Sequence, residues 1–342
     1  MANVAVLGSG TWGTALARLL ADNGHAVTQW CPFKEEAENL SKTREHPNLT
    51  GVKLPEGISF TDDLEKAARG QELIVVAVAS PYTRSTASRL APFIEDGQRI
   101  VTVTKGIEEG TCLVQTQILE ECIPNAVFGV LSGPSHAEEV IKALPTAIVS
   151  ASEDRETAEF VQDIFMNPVF RVYTNHDVLG VELGASLKNV IALAAGMSDG
   201  LGFGDNIKAA LMTRGIHEIA ELALAMGAHP ATLYGLSGIG DLIVTCSSMH
   251  SRNRRAGILM GQGMTMEEAT KEVGQVVEGI YSAKAAKALA DKYGEELPII
   301  GMVYRILFEN VNPLDAVDNL MRREKKMETE VPEDKLPQDW KR

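Results

Sequence analysis

The first twenty residues constrain this chain more than any others. Asn3–Leu7 is a short apolar run of strand-forming residues, Gly8-Ser9-Gly10-Thr11-Trp12-Gly13 follows it, and Thr14-Ala15-Leu16-Ala17-Arg18-Leu19-Leu20 has helix-forming composition. A G-x-G-x-x-G pattern between a strand and a helix is the context in which the motif carries a mechanism. Gly8 permits a tight turn, Gly10 lets the backbone approach a pyrophosphate, and Gly13 lets the helix pack close to the strand. The free N–H groups and positive dipole end at the helix start complement phosphates. A bare match also fits an ordinary glycine-rich turn. With strand, helix and a second strand at Ala26–Trp30 in place, the segment reads as a dinucleotide-binding unit.

The 342 residues suit about two domains. Strand-like runs at Ala2–Leu7, Ala26–Trp30, Leu73–Val78, Arg99–Thr104 and Ala126–Leu131, with a further pair at Thr146–Ser150 and Phe170–Tyr173, alternate with helical stretches. Leu73–Val78 is continuously apolar, as a parallel strand covered on both faces requires. This alternation predicts an α/β Rossmann-like doubly wound sheet over residues 1–178. From Val178 the composition turns to Ala, Leu, Met, Glu and Lys, with helices expected at Lys208–Met226, Met266–Val273, Ser282–Tyr293 and Ile299–Phe308. Residues 179–320 therefore read as an all-α domain, and 321–342 as a charged, frayed tail.

A net charge of −14 argues against nucleic-acid binding and means that an anionic ligand needs local basic islands. No basic leader opens the chain, and no run approaches the ~18 uninterrupted apolar residues of a membrane span, so no integral membrane segment is expected. Cys31, Cys112, Cys122 and Cys246 form no CxxC pair and read as reduced thiols of a cytoplasmic protein. The histidines show no metal spacing, so no metal is expected.

Several motifs carry chemistry. Lys105, in Thr104-Lys105-Gly106, follows a strand and so sits where such folds open their ligand crevice; a surface loop lysine reads equally well. Leu131–Glu139 contains Gly133, Pro134, Ser135, His136 and Ala137, a turn and helix start rich in accessible backbone. His136 has no visible partner there and reads as a capping or surface residue. Lys188 interrupts the small-residue apolar helix Glu182–Gly196. Burial and nearby positive charge lower a lysine pKa and allow proton transfer near neutral pH. Gly238-Ile239-Gly240-Asp241-Leu242 sets an acid among glycines, and Ser251-Arg252-Asn253-Arg254-Arg255 is the clearest basic island. Guanidinium forks bind phosphate oxygens in pairs. Gly274–Gly279, with Val276 and Glu278, reads as a loop.

Together these motifs resemble the NAD(P)-dependent glycerol-3-phosphate dehydrogenase family of bacterial type, over about residues 3–320. The resemblance rests on the glycine motif with Trp12, Thr104–Gly106, Ser132-Gly133-Pro134, Gly184–Asn189, Gly196–Gly200, Gly240–Leu242, Ser251–Arg255 and Gly274–Gly279. It implies a 6-phosphogluconate-dehydrogenase-like architecture, an NAD(P)H cofactor, a phosphorylated triose as substrate and a homodimer. It also implies roles: Lys188 as acid–base at the C2 oxygen, Lys105 stabilising charge on that oxygen, and Asp241 as a substrate-site acid orienting Lys188 or a substrate hydroxyl. Gly133, Ser135, Ser251, Arg252 and Asn253 resemble substrate contacts. Thr11, Trp12, Lys105, Ala137, Arg252, Val276 and Glu278, with the turn glycines Gly8, Gly10 and Gly13, resemble cofactor contacts. After the second strand the chain reads Trp30-Cys31-Pro32-Phe33-Lys34-Glu35-Glu36, without the acid that ends this strand in a strict NAD enzyme. Lys34 could meet a 2′-phosphate and Glu35 a ribose hydroxyl; the resemblance alone, to a family whose bacterial members often carry His or Arg near Pro32, makes the expectation lean slightly to NADPH. Phe33 packs against adenine or belongs to the core. Two other readings compete: another two-domain NAD(P)-dependent hydroxyacid or ketoacid reductase, and a non-catalytic dinucleotide sensor.

Overall fold

In the computed structural model, which describes residues 1–328, eight strands form one sheet: β1 Asn3–Leu7, β2 Ala26–Trp30, β3 Ile58–Thr61, β4 Leu73–Val76, β5 Arg99–Thr102, β6 Val127–Ser132, β7 Thr146–Ala151 and β8 Phe170–Asn175. Their order is β3-β2-β1-β4-β5-β6-β7-β8. All neighbours run parallel except β6 and β7, which pair antiparallel. The order reverses at β1, between β2 and β4, which is where a doubly wound sheet opens its crevice. β3 was not anticipated from the sequence. It is a four-residue edge strand with Ser59 exposed, and so short an edge strand lacks the continuous apolar signal of a central one.

β1 shows why the sheet forms here. Val4 and Val6 pack on one face with Val75, Val101 and Leu16, while Ala5 and Leu7 pack on the other with Ile74, Ile100 and Leu90. A strand buried on both faces tolerates no polar side chain at these positions, which is what the apolar runs of β1 and β4 encode.

The helical region is organised around one element, the 23-residue helix Val178–Gly200. Asp177 starts it, its Oδ1 accepting the Gly180 N–H at 2.9 Å. Eighteen of its residues are buried, on all sides of the helix. Among the described residues it is the one helix long and apolar enough to cross a membrane, and 83% of its apolar window lies inside the protein as a core helix. It packs against the helix Arg252–Gly261 through facing glycines. A Cβ on Gly196 would lie 2.2 Å from the Arg254 carbonyl oxygen, and one on Gly257 2.3 Å from that of Leu193. The two backbones therefore touch, and the start of the second helix is fixed relative to Lys188.

Helices also form at Asp205–Ala225, Met266–Val273, Glu278–Tyr293, Pro298–Phe308 and Pro313–Met321. Of the expected tail, residues 329–342 lie outside the described residues. Its beginning is held: Arg323 and Lys326 pair with Glu296 at 2.7 and 3.5 Å.

Candidate active site

A cavity of about 480 Å³ lies where the loops after β1, β4, β5 and β6 meet the helical region. On the sheet side the chain leaves β1 through Gly8, whose φ of +122° puts a hypothetical Cβ 2.7 Å from the Ala77 carbonyl oxygen. Gly13 is equally confined, 2.4 Å from the Gly8 oxygen, whereas Gly10 has nothing within 4 Å. The carbonyls of this turn are pinned from below. Gln29 Nε2 donates to Gly8 O at 2.9 Å, and His46 Nε2 donates to Ser9 O at 3.0 Å. The His46 tautomer follows from its other nitrogen, Nδ1, which accepts the Asn48 N–H at 3.1 Å. Burial holds His46 below the ordinary histidine pKa, so the ring is neutral. With its carbonyls engaged, the turn presents the N–H groups at the start of the helix Thr11–Asp22 to the open space over Gly10. That cradle, together with the buried Trp12 Nε1 in the same wall, which has no partner among the described residues, fits the pyrophosphate of a dinucleotide.

On the helical side, Lys188 projects from the middle of the central helix and is only 4% exposed. Its Nζ donates to Asp241 Oδ1 and to Thr245 Oγ1, both at 2.6 Å. Lys105, from the loop after β5, donates to the other oxygen of the same carboxylate, Asp241 Oδ2, at 2.7 Å, and to Gly133 O at 3.2 Å. Asp241 opens the helix Asp241–Ser247, directly after a π-helical turn at Leu236–Gly240. That register sets Thr245 one turn on, where its hydroxyl donates to Asp241 O at 2.6 Å and is left to accept from Lys188. An ammonium has three donors. Each lysine therefore keeps one uncommitted N–H.

Burial, opposed by Asp241 and reinforced by the Lys105 charge, lowers the Lys188 pKa to about 8. Burial alone would raise Asp241, but the two adjoining ammonium groups outweigh it and hold the carboxyl below its ordinary range. The result is a buried carboxylate compensated by two cations, one of which exchanges its proton near neutral pH. Such a group can donate or accept a proton at a bound oxygen.

Family models match both halves of the chain. Residues 3–158 match the N-terminus of NAD-dependent glycerol-3-phosphate dehydrogenase, and residues 177–318 match its C-terminus. The chain belongs to the glycerol-3-phosphate dehydrogenase family. A relative from Agathobacter rectalis named glycerol-3-phosphate dehydrogenase [NAD(P)+] is 58% identical over 329 residues, covering 96% of this chain and 98% of the relative. One of the same name from Fusobacterium nucleatum is 55% identical over 331 residues, covering 96% and 99%. The crystal structure of glycerol-3-phosphate dehydrogenase from Coxiella burnetii superposes with a TM-score of 0.90 at 37% identity, covering 94% of this chain and 99% of that one. The protein is thus an NAD(P)-dependent oxidoreductase acting on a CH–OH group, a glycerol-3-phosphate dehydrogenase that reduces dihydroxyacetone phosphate.

Within this dehydrogenase the cavity wall includes Gly10, Thr11, Trp12, Lys105, Ser135, Ala137, Lys188, Asp241, Ser251, Arg252, Asn253, Val276 and Glu278. Gly8, Gly13 and Gly133 are not part of the wall: Gly8 packs on the Ala77 carbonyl, Gly13 on that of Gly8, and Gly133 on Ile148 while its carbonyl accepts from Lys105. Phe33 stands apart, 70% exposed at the cap of the helix Lys34–Thr43. Lys34 turns to Glu38 at 3.8 Å, and neither it nor Glu35 reaches the wall; Glu36 does. The basic island divides. Arg252 and Arg255 line the cavity, whereas Arg254 grips Asp199 Oδ2 through Nε at 2.8 Å and Nη2 at 2.7 Å. Asn253 is held at both ends, Nδ2 donating to Asn189 Oδ1 at 3.0 Å and Oδ1 accepting the Gly279 N–H at 2.8 Å. Glu278 crosses the cleft to Ser80 Oγ at 2.5 Å, and burial raises its pKa against that hydrogen bond. His136 does not lie on the surface, and its side chain caps nothing: it occupies the N-cap position of Ala137–Val140 without a capping bond and lines the cavity.

The sequence singles out no role for Thr245, Asn189, Glu36 or His46, and it marks Arg255 only as a member of the basic island. Thr245 and Arg255 were findable, at i+4 from Asp241 and i+3 from Arg252 on helices. His46 and Glu36 carry no local signal. A second cavity, about 420 Å³, lies in the helical region. Its buried acid, Glu218, is engaged by the N–H groups of Ile299 and Ile300 at 2.8 and 3.1 Å.

Proposed function

We propose that the Lys105–Asp241–Lys188 cluster is the reacting centre for the reversible reduction of dihydroxyacetone phosphate to sn-glycerol 3-phosphate, the backbone of glycerophospholipids. The observation that carries this is the single carboxylate shared by two lysines, one fully buried, on the wall that also bears Arg252. When bound, the dinucleotide supplies the two electrons and one hydrogen that reduce C2.

The protein supplies the rest. The substrate oxygen on C2 meets the uncommitted positions of Lys188 and Lys105. Lys105 stabilises the charge that develops there, and Lys188 gives it a proton. Asp241 and Thr245 fix Lys188 Nζ, so the position that holds the proton in reduction holds the amine lone pair in oxidation. Arg252 binds the phosphate and holds the carbonyl in register, and Ser251 and Asn253, whose side chains hold the Arg254 and Gly279 N–H groups, line the substrate at the same helix start; Gly133 and Ser135 border the substrate beside Lys105. The turn at Gly8–Gly13, with Thr11, Trp12, Ala137, Val276 and Glu278, holds the dinucleotide.

We assign residues 1–178 to dinucleotide binding and 179–320 to substrate binding and catalysis. The lean to NADPH comes from the family resemblance alone, and Lys34, the residue that could meet a 2′-phosphate, turns to Glu38. Glu36 is the charged group that follows β2 in the wall, and a carboxylate there suits a ribose diol better than a 2′-phosphate, so we propose NADH as the preferred cofactor. A cytoplasmic location is supported by four free cysteines, and a homodimer by the family resemblance.

The test is loss of absorbance at 340 nm with NADH and with NADPH, dependent on dihydroxyacetone phosphate. Reduction needs protonated Lys188 and falls as pH rises through about 8; oxidation of glycerol 3-phosphate needs the free amine and rises through the same pH. Two profiles of the same sign would refute the assignment of Lys188.

A further inference from the structure

The substrate has three recognisable groups, and two of them have ionic partners in the site as read above. The C2 oxygen meets the lysines and the phosphate meets Arg252. The third is a primary hydroxyl. A hydroxyl is best read by a neutral group, because a charge would lose its hydration for one ordinary hydrogen bond.

Most neutral side chains near the reacting centre are already engaged. Thr245 donates to Asp241 O and accepts from Lys188, and Asn253 is bonded at both ends. Three buried side-chain nitrogens of the cavity wall have no partner among the described residues: Trp12 Nε1, His136 Nε2 and Arg255 Nε. Trp12 belongs to the pyrophosphate turn and Arg255 is a cation. His136 remains. It stands three residues after Gly133, whose carbonyl accepts from Lys105, and its ring centroid lies 5.6 Å from that of His250. Burial first, and the Lys188 charge next, hold its pKa below the ordinary 6.5. The ring is therefore neutral at pH 7 and holds one donor and one acceptor. A buried polar nitrogen without a partner costs roughly 1–3 kcal/mol, and a ligand hydroxyl removes that cost.

We propose that His136 is a substrate-specificity residue, with Nε2 hydrogen-bonded to the free hydroxyl of the three-carbon phosphoester. This rests on the reading of the cavity as the triose phosphate site. It is tested with dihydroxyacetone phosphate and its deoxy analogue, hydroxyacetone phosphate, in which the hydroxymethyl group is a methyl. A site built to bond a hydroxyl rejects the analogue that lacks it. The expected ratio of kcat/KM between the two substrates is at least 100-fold in the native enzyme. In His136→Leu it falls about tenfold or more, the loss lying on the hydroxylated substrate, and in His136→Gln, which keeps a neutral donor and acceptor, most of it returns. A ratio unchanged in His136→Leu, or equal losses on both substrates, overturns the proposal. Should His136→Leu fail to fold, His136→Gln and the native ratio decide: native discrimination below threefold, or none left in the Gln variant, overturns it. Absence of any turnover of dihydroxyacetone phosphate by the native enzyme would instead sink the underlying reading of the cavity.

Discussion

On the sheet side of the cavity the wall is made of backbone N–H groups and loop residues at strand ends; on the helical side it is made of side chains from the central helix, with its eighteen buried residues, and from the starts of the helices at Asp241, Arg252 and Glu278. The sheet side works by leaving space. Gly10 is open while Gly8 and Gly13 are confined, and Gln29 and His46 engage the carbonyls of Gly8 and Ser9. The helical side works by balancing charge. Lys188 is stable in its helix because Asp241 and Thr245 meet it, and Asp241 is stable because a second lysine arrives from the sheet. The first arrangement fails by steric overlap, the second by loss of a partner.

This contrast can be broken from either side. The largest effect falls on the charge-balanced half. Lys188→Ala should lower kcat by about 10²–10⁴-fold while cofactor affinity, measured by fluorescence titration, stays within threefold; near-normal turnover would remove the lysine from the chemistry. Asp241→Asn should cost about 3 kcal/mol of stability in urea, because it leaves two buried or half-buried ammonium groups with half a partner. It should also move the Lys188 limb of the pH–rate profile below 8, since the group that raises this pKa is gone. An unmoved limb would show that Asp241 does not tune Lys188. Arg252→Ala should raise KM for dihydroxyacetone phosphate by about 10–100-fold, the scale of one charge-assisted hydrogen bond, with a smaller change in kcat. Equal kinetics would dissolve the phosphate clamp.

The smallest and sharpest test compares two glycines of one turn. Gly10→Ala meets no protein atom within 4 Å and should leave thermal stability nearly unchanged while weakening dinucleotide binding about tenfold, a displacement worth about 1.4 kcal/mol. Gly13→Ala places its Cβ 2.4 Å from Gly8 O and should destabilise the fold by roughly 1–3 kcal/mol. If both variants behave alike, the open cradle over Gly10 is not where the pyrophosphate lies.

Much of the sheet half was legible because its rules are local. The turn at Gly8–Gly13, the apolar strand Leu73–Val76 and Lys105 just past a strand end each follow from a few adjacent residues. The edge strand Ile58–Thr61 and the antiparallel step from β6 to β7 did not follow, because pairing partners far apart in the chain decide them. In the helical half Lys188 stood out as a charge in an apolar run, and its partner did not: Asp241 lies 53 residues away. Among the three arginines of Ser251–Arg255, composition could not tell which would face the ligand; helix register and the glycine contacts at Gly196 and Gly257 turned Arg254 to Asp199 and left Arg252 and Arg255 on the cavity wall.

The chain by itself determined a dinucleotide-binding α/β unit, a helical partner and a short inventory of reactive residues, because backbone turns and apolar periodicity are encoded over a few neighbouring positions. Only the tertiary structure decided that one carboxylate joins two lysines, that a histidine of the cavity wall keeps a buried Nε2 without a partner among the described residues, and that Glu36 rather than Lys34 faces the cavity. Charge compensation and burial depend on which surfaces meet, and those meetings join residues far apart in the chain.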